Sequence, residues 1–95
     1  MRIKILGKRW NLRFVAMRDF GDCDAPTKPA KEIRICSSVK GREKLDTLIH
    51  EMVHAAGWHI DEEFIDEFAT DVAKVLWRLG YRDMEDRDGE EKRTG

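Results

Sequence analysis

The sequence predicts an α+β domain, with a small antiparallel sheet of about three strands followed by two helices. Two patterns carry this. Short apolar–polar alternations of period two fill the first 36 residues, and apolar spacings of three and four residues fill the stretch from residue 42 to 80. The segment Ser37-Ser38-Val39-Lys40-Gly41 separates them.

In the first half, Arg2-Ile3-Lys4-Ile5 and Trp10-Asn11-Leu12-Arg13-Phe14-Val15 alternate, and Gly7-Lys8 between them reads as a hairpin turn. Trp10 and Phe14 share a face of the second strand, the one expected to pack on the helices. Asp19 to Lys31 holds both prolines and several aspartates and reads as a loop. Glu32-Ile33-Arg34-Ile35-Cys36 alternates again and forms the third strand.

In the second half, Leu45, Leu48, Ile49, Met52, Val53 and Ala56 recur at helical spacing from about Arg42 to Ala56, with Gly57 as a natural stop. Asp61 is placed to cap a second helix, with Glu62 and Glu63 in its first turn where the helix dipole favours acids. Phe64, Phe68, Val72, Val75 and Leu79 form its apolar stripe, expected to join the core, while Trp77 falls on its polar side. Residues 1–81 therefore read as one domain. From Arg82 on, 10 of 14 residues are charged, so residues 82–95 are expected to be a solvated, disordered tail.

Composition narrows the possible roles. With 18 Lys and Arg against 19 Asp and Glu, the net charge is -1, and a nucleic-acid partner is not expected. Arg2, Lys4, Lys8, Arg9, Arg13 and Arg18 make the first half locally basic, which reads as a solvated sheet face. No apolar run reaches the length of a membrane span, and MRIKIL lacks the apolar stretch of a secretion signal. A cytoplasmic protein is expected, with Cys23 and Cys36 as free thiols.

The three histidines lie within ten residues, and two frame His50-Glu51-Met52-Val53-His54. This is HExxH on a segment that is helical by its own periodicity. Side chains four apart share a helix face, so both imidazoles can reach one metal ion. Glu51 stands beside them, placed to take a proton from a water that the metal activates. A catalytic zinc takes a third protein ligand, and three candidates follow. Glu67 lies level with the histidines if the helices form an antiparallel hairpin, and Asp71, four residues on, would then steady a ligand histidine. Glu63, or its neighbour Glu62, would serve if the helices cross. His59 follows Gly57 as in HExxHxxGxxH, with one residue fewer.

The stretch Leu45 to Ala56 resembles the active-site helix of the zincin metallopeptidases. Glu67-Phe68-Ala69-Thr70-Asp71 is similar to the ExxSD glutamate helix of gluzincins, with Thr70 at the serine position. The size, and a strand just before the active helix, resemble the compact SprT-like and ImmA/IrrE-like zincins of bacteria and phages. The resemblance covers about residues 33–81. It implies a Zn2+ cofactor, a peptide or protein substrate, and hydrolysis by activated water with Glu51 as general base. It also implies that Ile33-Arg34-Ile35 pairs with an extended substrate, and that a donor such as Tyr81 or His59 steadies the developing charge. The alternative is a regulatory module in which zinc staples a small domain.

Overall fold

The computed structural model describes residues 1–84. It contains β1 (Arg2–Ile5), β2 (Lys8–Val15), β3 (Gly21–Cys23), β4 (Glu32–Cys36), α1 (Gly41–Ala56) and α2 (Glu62–Arg78). The fold is α+β, a four-stranded sheet followed by two helices, and the sheet is mixed rather than antiparallel. Its order is β1-β2-β4-β3, with β2 and β4 parallel and the outer pairs antiparallel.

The difference from the expected three strands lies in β3, inside the segment read as a loop. Three residues with no alternation leave no period to read. What makes them a strand is β4: Gly21, Asp22 and Cys23 pair with Ile35, Arg34 and Ile33. Arg34 reinforces the pairing. Its guanidinium donates to Asp22 and Asp24 at 2.6 Å each and to Glu32 at 3.0 Å. Asp24 also accepts from the Glu32 backbone N–H, closing the β3–β4 connection.

The β1–β2 turn sits one residue earlier than expected. Ile5 pairs with Lys8, which leaves Leu6 and Gly7 as the two turn residues, both at positive φ (50° and 77°). That is the turn whose twist suits a two-residue hairpin.

The core lies between the sheet and α1. Trp10, Leu12, Ile33, Ile35 and Ala55 are buried there, flanked by Ile3, Ile5, Cys23 and Leu48. Phe14 lies on the same sheet face but extends past the helix. It stays partly exposed beneath the Lys44 ammonium, 5.1 Å from the ring centroid.

The second helix packs differently from the expectation. Its cap is as predicted: Asp61 accepts from the Phe64 N–H at 3.1 Å. Its buried face, however, is Ile65, Ala69 and Ala73, and it packs on α1 and not on the sheet. Because α1 already covers the sheet, the phenylalanine stripe has no core to enter and faces solvent. Trp77 is also not the exposed residue expected. The Arg82 guanidinium stacks 3.3 Å above its ring. Asp83 pairs with Lys44, so the order runs past the boundary at residue 81, while the rest of the expected tail, from residue 85, lies outside the described residues. Both cysteines are free thiols. Among the described residues, no helix is long and apolar enough to cross a membrane.

Candidate metal centre

The HExxH string falls in the last two turns of α1, as its periodicity predicts. His50 and His54 point to one side, and their Nε2 atoms lie 3.1 Å apart. The third group that meets them is Glu62. One carboxylate oxygen is 2.9 Å from His50 Nε2 and the other 2.7 Å from His54 Nε2. The three donors lie within 4.8 Å of one another, and they are the one such cluster among the described residues.

Glu67 and Asp71 do not join it. With Asp66 and Thr70 they line a separate open hollow further along α2. The antiparallel level was read correctly to within a turn, but the face was not. Glu67 follows Asp66, and one residue rotates a side chain by about 100° on a helix of 3.6 residues per turn. The face turned to the histidines is that of Glu62 and Asp66, and Asp66 Oδ1 sits 3.6 Å from His50 Nδ1. Glu63 is exposed and outside the cluster. His59 lies beyond the end of α1 in an apolar cleft with Ile5, Leu6 and Ile60, and Tyr81 flanks Trp77 near the start of α1. Neither borders the histidines.

The donor set fits a zinc ion. Two imidazole nitrogens and one carboxylate make a three-ligand set that leaves a position open. At bond lengths of about 2.0–2.1 Å, tetrahedral ligands stand roughly 3.3 Å apart. The 2.7–3.1 Å separations here therefore need only a slight spreading to admit the ion.

Glu51 is not a member of the cluster and points toward the sheet. It is 7% exposed and lies against Gly21 of β3, where a Cβ at position 21 would stand 3.3 Å from Glu51 Cγ. Burial pushes its carboxyl up to about 7; the His50 imidazole opposes this, while Asp22 and Glu62 add to it. Glu51 and the three donors share an open hollow of about 300 Å3 with Gly21, Asp22, Cys23 and Trp58. Trp58 meets His54 edge to face, with ring centroids 6.4 Å apart. Burial first, then the neighbouring Glu51 and aspartates, raise the Cys23 thiol to about 12, so it remains a neutral wall of the hollow.

β4 does not offer the free edge expected of it, because β2 and β3 occupy both its sides. The edge beside the cluster belongs to β3. The sequence reading missed β3 and set Glu62 behind Glu67. The available signal for Glu62 was its spacing: it is as far past Trp58 as His54 is before it.

In comparisons with known proteins, no family model, no curated protein and no solved structure matches this chain.

Proposed function

We propose that this chain is a zinc-dependent peptide-bond hydrolase on a small zincin-like domain. The observation that supports the reading is the convergence of His50, His54 and Glu62 beside the buried carboxyl of Glu51. His50, His54 and Glu62 would hold the ion, which when bound would polarise the scissile carbonyl and acidify a water toward neutral pH. Glu51 takes up the proton at its carboxylate and returns it to the leaving amine. Asp66, beside His50 Nδ1, orients that imidazole so that Nε2 faces the cluster. The edge of β3, unpaired among the described residues, gives an extended peptide backbone partners next to the hollow. The free thiols of Cys23 and Cys36 accord with a reducing, cytoplasmic location.

A second reading, a structural zinc in a regulatory module, draws support from one feature. Among the described residues, the lining of the hollow contains no Tyr, Arg or Lys to steady a developing oxyanion. One experiment separates the two. The zinc-loaded chain is incubated with casein and with a library of extended peptides, beside Glu51→Gln. Cleavage that falls at least about 100-fold in Glu51→Gln, with zinc still bound, is the expected result. Stoichiometric zinc without cleavage favours the structural site. Failure to bind zinc overturns both.

A further inference from the structure

Among the described residues, the apolar stripe of α2 has no partner. Phe64, Phe68, Val75 and Leu79 are 57, 46, 54 and 69% exposed, and Val72 between them is half-buried. Steps of four, four, three and four residues hold them on one side of the helix, the spacing of a helix–helix seam. Phe64 and Phe68 stack on each other with centroids 6.0 Å apart. The two rings alone leave about 200 Å2 uncovered, taking 150–250 Å2 for an aromatic side chain. The whole stripe comes to roughly 400 Å2, within the range of about 300–600 Å2 for the largest patch on a monomer, which is often functional.

We propose that this stripe is a self-association face, on which a second copy of the chain docks its own α2 antiparallel about a two-fold axis near Val72 and Val75. Two features of the helix select this occupant. First, charge divides along it. Glu63, Glu67 and Asp71 flank the stripe in the N-terminal half, and Lys74 and Arg78 flank it in the C-terminal half. Among the described residues, none of these five makes an ion pair within the chain. An antiparallel second copy sets the acidic half of this flank beside the basic half of the other, whereas a parallel two-fold puts the two charged flanks on opposite sides of the seam. Second, size divides the same way. The phenylalanines occupy one end and the smaller Val75 and Leu79 the other, so the antiparallel arrangement packs Phe68 against Leu79 of the second copy and Val72 against Val75. Such a contact is isologous and closes at two chains. Its area is about half of the ~800 Å2 that a standard interface takes from each partner, which sets a weak, concentration-dependent dimer.

Sedimentation equilibrium of the full chain tests this. The wild type is expected to be monomeric near 1 µM and mostly dimeric by about 200 µM. Val75→Glu, at an exposed position, is expected to keep the circular dichroism spectrum and the dilute melting point while weakening association by about 100-fold or more. Raising sodium chloride from 0.05 to 0.5 M is expected to weaken the wild-type dimer severalfold, because the flanking attractions are screened. A wild type that stays monomeric at 200 µM overturns the proposal and leaves the stripe to a partner of different sequence. A dimer that survives Val75→Glu overturns the face, and one that strengthens with salt overturns the antiparallel arrangement.

Discussion

The Thr70 hydroxyl donates to Asp46 across the two helices at 2.8 Å. This contact is the outer rung of a ladder. His50 and Asp66 form the next rung and His54 and Glu62 the last, each pair equally distant in sequence from Trp58. The ladder exists because Ala69 and Ala73, fully buried on the adjoining face, let the two backbones approach closely. Close approach, an uninterrupted helical period on both sides and a short turn over Gly57 to Asp61 together fix which acid meets which histidine.

Zinc affinity is predicted to follow the ladder. Glu62→Ala is expected to weaken binding by at least about 100-fold, since it removes one of the three proposed ligands. Asp66→Asn is expected to weaken it about 10-fold, as loss of a group that orients a ligand does. Glu67→Ala is expected to leave it within about twofold. Competition titration of all three against a chromogenic chelator measures the series, and a loss at Glu67 matching that at Glu62 would reject the assignment.

Gly21 is where α1 touches the edge strand, and it is predicted to tolerate no side chain. A Cβ there would stand 2.9 Å from the Arg34 carbonyl oxygen and from Thr47 Cγ2. The carbonyl belongs to the β3–β4 pairing and cannot swing aside. Gly21→Ala is therefore expected to cost about 1–3 kcal/mol, the range for overpacking a filled site. Urea unfolding of the metal-free chain gives the number, and a neutral substitution would mean that β3 is free to shift outward.

The two ends of the chain differ in how much of the structure their residues announce. The α1 helix, its histidine pair, the Gly57 stop and the Asp61 cap were legible because each rests on a local rule acting within a few residues. β3 was not, because its strand character comes from Arg34 and the backbone of β4, ten or more residues away. The stripe of α2 was legible as apolar but not as exposed. Periodicity states which residues share a side, not what lies opposite, and here α1 had already filled the space above the sheet. That Glu62 rather than Glu67 meets the histidines was hidden for a related reason. Level along a helix follows from rise per residue, but facing depends on how the partner helix is rotated.

Leu6 carries a conformational cost that a substitution should relieve. Its φ of 50° is a left-handed conformation, and its side chain is 79% exposed. Asn followed by Gly is the preferred pair for a hairpin turn with both residues at positive φ. Leu6→Asn is expected to stabilise the chain by about 0.5–1 kcal/mol, seen as a higher urea midpoint at unchanged slope. A lower midpoint would show that the Leu6 side chain contributes more packing in its cleft than its exposure implies.

Glu51 is expected to destabilise the metal-free chain at neutral and higher pH. In the folded chain burial raises its carboxyl to about 7 from its ordinary value of 4.5. Between those values the folded state holds a proton that the unfolded state has released. The stability that this proton represents is complete below pH 4.5 and is lost as pH rises through 7. The loss amounts to at most about 3 kcal/mol, at 1.36 kcal/mol per pH unit. Glu51→Gln cannot ionise, so it should match the wild type near pH 4.5 and exceed it by up to that amount at pH 8. Paired urea melts of the metal-free proteins across this range measure the difference. A gap that does not grow with pH would mean that Glu51 reaches solvent when no metal is bound, and that the wall it forms against Gly21 opens.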